Sequence, residues 1–444
     1  MRTTLIVGII SISLFVMSCF EERNMFKQPT EKQITFSPKT HALDNNDNFS
    51  HDDKFLCYDT RGTIYNNDLA NSKSIEKVEI ATGVETVLWN PEFVTGENAA
   101  PGVAAVSYHP KENKVIFIHG PLVEEVEERG YYGQKNRTAK VVDGNGGGIV
   151  DTPDMRDIKN NPTTPGAHRG GSHRHEYTRS GNRIGFTYDD FLVQNYDRTI
   201  AFLQPNNNAP EGYSHYFSLI LKPIEKGKSK PGEIEKANAD SWVDSLGTMR
   251  AFIGKVRAEN GVDYYSDLFV ADIPLDIKIT SAKAGTKTEY PIPAKGISIR
   301  RLTNGLNAKG TVRGSFDGSK IVFTAEDENR VTQVFVIRAD GTQQKPKIIS
   351  QFTENASDVR WHPNDEMIFC ISGGNIFSIN LDNTKTTKLI NDINIREHLV
   401  VSHDGNLLAY VIATPTKDEN DKIVKDVSGN DFRQIFVLET NDIF

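Results

Sequence analysis

Histidines and arginines are the side chains best placed to do chemistry in this chain, and one stretch concentrates them. It runs Thr164-Pro165-Gly166-Ala167-His168-Arg169-Gly170-Gly171-Ser172-His173-Arg174-His175. His173 and His175 are two residues apart, so on a regular strand both rings point to one face about 7 Å apart and can converge on one ion. Neutral imidazole suits a divalent transition metal such as Mn or Zn; the alternative is a stacked or hydrogen-bonded pair lining a polar channel. His215 lies 40 residues beyond His175, and His119 closes the apolar run Val115-Ile116-Phe117-Ile118, so both are candidates for the same site. Arg169, beside glycines that let the backbone approach a ligand, can position a carboxylate bidentately, with Arg174 adding positive charge.

These residues sit in a repeat. The polar turns Ser50-His51-Asp52-Asp53, His109-Pro110-Lys111-Glu112, Thr178-Arg179-Ser180-Gly181, Ser315-Phe316-Asp317-Gly318, His362-Pro363-Asn364-Asp365 and Ser402-His403-Asp404-Gly405 each precede a β-rich run. That is a recurring hairpin signal, and its spacing of about 40 to 50 residues in the C-terminal half suits four-stranded propeller blades. A further blade, from about Ser214 to Thr303, lacks the Asp-Gly turn and carries an insertion. Gln33-Ile34-Thr35 repeats the outer-strand endings Arg301-Leu302-Thr303 and Gln351-Phe352-Thr353, so the N-terminal strand should complete the last blade beside 432–438 and leave no open sheet edge. The expected fold class is all-β: one monomeric propeller over 32–444, with seven four-stranded blades.

The repeat also sorts the histidines. His51, His109, His362 and His403 fall in turns and are expected to be exposed there. His175 stands three residues before its turn, where other blades place Val106, Val312, Val359 and Leu399, so an imidazole replaces a packing residue. Inner-strand starts and second-strand ends share one face of a propeller, as do the long segments 120–137, 151–171 and 414–431. His173, His175, His215 and His119 are therefore expected at one mouth, with His215 opening the next inner strand.

Composition narrows the class. Lys+Arg 51 against Asp+Glu 59 gives a net charge of -8, and no basic run interleaves with aromatics, which argues against nucleic acid as a partner. Arg2 and the apolar stretch Leu5 to Met17 read as a secretory signal over 1–18. Val16-Met17-Ser18-Cys19 resembles a bacterial lipobox, which implies lipidation of Cys19 and a polar tether over 19–31. A lipid anchor would then be the sole membrane contact, in the cell envelope at the outer membrane. Cys57 and Cys370 fall in blades that do not touch, so they read as buried thiols and not as a bridge. No Gly-x-Ser-x-Gly elbow accompanies the repeats.

The turns resemble those of TolB-like propellers. The run from Thr164 through Tyr188-Asp189-Asp190, with His109-Pro110-Lys111, Phe117-Ile118-His119-Gly120-Pro121 and Ser214-His215-Tyr216, resembles the YidR-like family of uncharacterised bacterial propeller proteins over nearly the whole chain after the tether. More distantly, His173-x-His175 is similar to the pair with which oligogalacturonate lyases, also propellers, hold manganese. That second resemblance implies a metal-dependent lyase acting on an acidic, uronate-containing oligosaccharide, with His173, His175 and His215 on the metal and Arg169 at the developing enolate. The competing expectation is a non-catalytic propeller that binds a peptide, protein or glycan in the same channel.

Overall fold

The computed structural model describes residues 30–43, 47–62, 72, 74–91 and 102–441. The signal segment, Cys19 and most of the tether lie outside the described residues. Antiparallel sheets follow one another around a ring of seven blades. Blade one has Phe55–Asp59, Ile75–Glu79 and Glu85–Trp89, and its inner edge is supplied by bridges from Ala42 to Asp59 and from Phe49 to Leu56. Blade two is Val103–Tyr108, Lys114–His119, Thr138–Asp143 and Ile149–Asp151; blade three is Gly170–Tyr177, Ile184–Asp190, Thr199–Pro205 and His215–Leu219. Blade four is Ile234–Trp242, Met249–Arg257, Tyr264–Asp272 and Ser298–Arg301; blade five is Ala308–Gly314, Lys320–Glu326, Thr332–Arg338 and Lys347–Ile348. Blade six is Ala356–Trp361, Met367–Ser372, Asn375–Asn380 and Thr386–Lys388. Blade seven combines Arg396–Val401, Leu407–Thr414 and Phe432–Glu439 with Glu31–Gln33 from the N-terminal end.

The closing strand pairs Glu31 with Leu438 and Gln33 with Phe436, as the repeated ending at Gln33-Ile34-Thr35 predicted. Its side chains reinforce the pairing. Glu31 accepts hydrogen bonds from Arg396 Nε at 3.0 Å, Arg396 Nη2 at 2.8 Å and the Tyr410 hydroxyl at 2.5 Å, and Arg396 is wholly buried. Turn residues lock neighbouring blades in the same way. Asp53, with φ 55°, accepts the amides of His403 and Asp404 from blade seven, and Asp365, with φ 59°, accepts those of Phe316 and Asp317 from blade five. The core fills the gaps between blades. Ile200, Phe202 and Ile220 of blade three meet Ile234, Phe252 and Phe269 of blade four in one cluster, for example.

The blade expected over 214–303 runs instead from Ile234 to Arg301, and Ser214-His215-Tyr216 belongs to blade three. The misleading element is the Asn-rich segment 206–213, which folds as a hairpin loop within blade three and not as a link between blades. Blade four does carry the anticipated insertion, between Tyr264–Asp272 and Ser298–Arg301. It lies against blade three: Tyr290 stacks on Tyr196 at 4.1 Å, and the Ala294 amide bonds Ser218 Oγ. No disulfide joins Cys57 and Cys370, which are buried in blades one and six. Among the described residues no helix is long and apolar enough to cross a membrane.

Candidate functional site

The inner strands of blades two to seven each break their alternation at one place. Ala105, Arg174, Ala239, Gly310, Asp358 and His398 all have φ between 49° and 65°, and each stands where the register to the second strand shifts. These are β-bulges, in which two residues of one strand, or three in blade five, face one residue of its partner and the side chains after the bulge are re-aimed. In blade three, His173 pairs with Thr187 and Glu176 with Gly185, so Arg174 and His175 share the space opposite Phe186.

The bulge corrects the expectation of a converging pair. His173 faces the central cavity, whereas His175 is fully buried against the Phe186 ring, 5.2 Å between centroids, and near the Asp154 carboxylate. Burial pushes the His175 imidazole down to about 4. His168 lies in the same core, with Nε2 3.1 Å from Asp154 Oδ2 and both side chains inaccessible. His215 does not open an inner strand. It starts the outer strand of blade three, with Nδ1 2.7 Å from Ser214 Oγ, far out on the blade in register order. His119 ends the second strand of blade two as expected, but its ring is buried between Trp89 and Phe117, Nδ1 meets the Gly120 carbonyl at 2.6 Å, and burial lowers it to about 4.

Arg169 is likewise in the core. Its Nε donates to Asp190 at 2.8 Å, Nη2 to the Glu289 carbonyl at 2.7 Å and Nη1 to the Thr286 carbonyl, so its fork clamps the blade-four insertion onto blade three. The adjoining glycines serve backbone packing and not ligand approach: a Cβ on Gly170 would stand 2.0 Å from the Asp189 carbonyl oxygen, and one on Gly171 2.0 Å from that of Gln134. Two turn histidines also differ from expectation. His109 is buried edge-on to Tyr177, and His403 is gripped by Asp53 at 2.7 Å and Asp47 at 3.0 Å.

These positions do not fit a metal. His173 is surrounded by Arg137, whose Nη1 is 3.4 Å from its Nδ1, and by the charges of Arg198, Arg61 and Arg174. Burial and then these cations hold its pKa well below the usual imidazole value, an environment that repels a cation as it repels a proton. Among the described residues no three His, Cys, Asp or Glu side chains are grouped to hold an ion.

The ring centre suits an anion instead. A cavity of about 410 Å³ opens on the face where inner strands begin, lined by His173, Arg174, Lys309, Thr311, Arg313 and Arg360 among others. A second cavity, of about 130 Å³, opens on the face of the polar turns, and Arg313 and Arg360 line it too. The two arginines therefore stand between the two cavities, at the waist of the ring centre. Arg174 reaches in from blade three and donates to Thr311 Oγ1 at 2.7 Å. Arg313 is 8% exposed; its Nη1 donates to the Val312 carbonyl at 2.9 Å, its Nε has no partner, and no carboxylate pairs with it among the described residues. Burial, then the charges of Arg360 and Arg174, press its pKa well below the ordinary guanidinium value against the pull of Glu176 and Asp358. Burial lowers Arg360 to about 10. A guanidinium buried without a carboxylate partner, as Arg313 is among the described residues, is costly unless a negative charge joins it.

Arg313 and Arg360 were not picked out by the search for histidine spacing. They were visible in the repeat: the position two residues before each turn holds Asn48, Ser107, Glu176, Arg313, Arg360 and Val400, and an arginine in two successive blades there must face the axis or be buried uncompensated.

With this geometry in view, the known proteins can be compared. A family model described as a protein of unknown function (DUF3748) matches residues 102–212, which covers blade two and most of blade three. The uncharacterized protein YidR of Escherichia coli (strain K12) is 30% identical over 377 residues, covering 78% of this chain and 85% of that protein. The chain belongs to the YidR family. A structure assigned to TolB of Agrobacterium tumefaciens shares 15% identity over 72% of this YidR-family chain and 88% of its own, with a TM-score of 0.40. A prolyl endopeptidase structure shares 10% identity over 91% of this chain, with a TM-score of 0.50; the match spans 50% of that longer protein and concerns the fold alone.

Proposed function

We propose that this YidR-family propeller is a recognition module that takes up a carboxylate-bearing ligand, an acidic oligosaccharide or peptide, in its central channel without transforming it. The observation that carries the reading is Arg313: a buried guanidinium, without a carboxylate partner among the described residues, at the waist shared by both channel mouths. Ligand sites of proteins are concave and present few polar groups, each placed to fix one feature of the ligand. A carboxylate at the waist would accept from Arg313 and offset the repulsion it meets from Arg360 and Arg174. Hydroxyls of Thr311, Thr324, Thr332 and Ser357 at the wider mouth supply further polar contacts for a hydroxylated ligand.

The lipobox at Val16-Met17-Ser18-Cys19 supports an envelope protein held by lipid at Cys19. Labelling cells with a fatty-acid analogue tests this directly, and label retained in Cys19→Ala overturns it. For the ligand, calorimetry with trigalacturonate and with succinate, each against its neutral methyl ester, is the test. Binding of an acid in the millimolar range or tighter, lost in the ester and in Arg313→Gln, is expected. Absence of binding by both acids, or equal binding by Arg313→Gln, overturns the proposal.

A further inference from the structure

His173, at the wider mouth, has one ring nitrogen already committed. Arg137 is buried, and its guanidinium is aimed by Nε donating to the Gln134 carbonyl at 3.2 Å and Nη1 to the Tyr132 hydroxyl at 3.0 Å. The same Nη1 stands 3.4 Å from His173 Nδ1. A guanidinium has hydrogens to give and no lone pair to accept with, so Arg137 is the donor and Nδ1 the acceptor. Burial and the cations around the ring keep it uncharged. A neutral imidazole that accepts at Nδ1 carries its one ring N–H on Nε2.

That Nε2–H has no acceptor among the described residues, although His173 is partly exposed and lines the cavity. The same wall carries groups of both kinds at partly exposed positions. Thr311 Oγ1 accepts from Arg174 at 2.7 Å, which leaves its own hydrogen to donate. Asp358 takes the His398 amide on Oδ2 at 3.2 Å and, as a carboxylate, accepts further bonds. Among the described residues lining this cavity, Leu43 and Ala356 are the apolar side chains, and both are buried.

We infer that Arg137 fixes His173 in its Nε2–H form and that this hydrogen selects a hydroxylated acid, by donating to a hydroxyl oxygen of the ligand. The inference rests on the carboxylate-binding reading given above and adds the chemistry of the group next to the carboxylate. One hydroxyl answers both kinds of wall group, since it accepts from His173 or Thr311 and donates to Asp358. An amide needs two separate atoms to do the same, and a hydrocarbon chain answers neither. His173 is thus a specificity-determining residue, with Arg137 as the positioning residue behind it. The arrangement also bars a metal from the ring, because Nδ1 is held by Arg137 and Nε2 has its lone pair covered by hydrogen.

Two measurements test this. With the histidine nitrogens isotopically labelled, the magnetic-resonance signals lost in His173→Gln belong to His173, and at pH 7 they should report a neutral ring protonated on Nε2. A ring protonated on Nδ1, or on both nitrogens, overturns the inference whatever the protein binds. Calorimetry then compares gluconate, hexanoate and N-acetylglycylglycine, acids that carry hydroxyls, a bare hydrocarbon chain and peptide groups. Gluconate is expected to bind about fivefold tighter than hexanoate, the weight of one neutral hydrogen bond. Glutamine places an amide N–H near the position of Nε2, so His173→Gln keeps most of that preference. His173→Phe, which fills the space without a donor, removes the preference and leaves hexanoate binding unchanged. An undiminished preference in His173→Phe, or equal binding of the two acids by wild type, overturns the inference; loss of both acids in Arg313→Gln shows that the carboxylate reading still stands. Tighter binding by the peptide acid than by gluconate overturns the hydroxyl assignment. If no acid binds, both readings fall.

Discussion

Glu31 is the residue through which the N-terminal strand closes the ring, and its removal has a calculable effect. The carboxylate accepts two bonds from the buried Arg396 and one from Tyr410. Hydrogen bonds to charged groups contribute about 1.5–3 kcal/mol, and an orphaned buried hydroxyl costs about 1–3 kcal/mol. Arg396 keeps Asp392, at 2.8 and 2.7 Å, so its charge is not left bare and the total falls toward the lower ends of those ranges. Glu31→Ala should therefore destabilise by about 3 kcal/mol, roughly a hundredfold in the unfolding constant, with Glu31→Gln retaining about half of the lost stability. Spread over a domain of roughly 400 residues this lowers the thermal midpoint by only about 3–4 °C. Urea unfolding followed by circular dichroism resolves it better. In a double-mutant cycle, Glu31→Ala and Tyr410→Phe should be non-additive, because each removes the same bond. Glu128→Ala, which breaks an exposed pair with Lys159, serves as the control and should leave the midpoint unchanged. A midpoint for Glu31→Ala equal to wild type would refute the closure argument.

Other outcomes follow from the same contacts. Burial opposes the charge on His403, but Asp47 and Asp53 outweigh it and raise the imidazole to about 11. The stabilisation is therefore complete below about pH 6.5 and is lost as pH rises toward 11. Between pH 7 and 10 wild type should lose about 1–2 kcal/mol more stability than His403→Gln, a figure reduced for the partial exposure of the ring; identical pH profiles in urea melts would contradict it. Gly171→Ala forces a methyl group against the Gln134 carbonyl and should cost about 1–3 kcal/mol in the same melts, with no loss expected if the two backbones do not meet.

The architecture was legible because propeller blades repeat. The turns at Ser50, His109, Thr178, Ser315, His362 and Ser402 each carry polar residues ahead of an apolar run, and Gln33-Ile34-Thr35 betrays its place by imitating outer strands elsewhere. What failed was the step from spacing to side-chain direction. Alternation assumes an unbroken strand, and nothing in Ala105, Arg174, Ala239 or His398 as residue types announces a left-handed bulge. The bulge at Arg174 sends His173 to the channel and His175 to the core, so a two-residue spacing that looked like a ligand pair is not one. Arg169 misled for a related reason: glycines beside an arginine fit close backbone packing as well as they fit a ligand. Recurrent position, the feature that located the blades, was the better guide to the site as well, since it aligns Arg313 with Arg360.

The channel reading meets its most direct test in diffraction from crystals soaked in 4-bromobenzoate, whose bromine scatters anomalously and whose carboxylate is the group at issue. Carboxylate density is expected against Arg313, with the bromine peak in one of the two cavities that Arg313 lines. A channel without density under saturating soaks, or with the acid bound only at the outer rim of the blades, would contradict it.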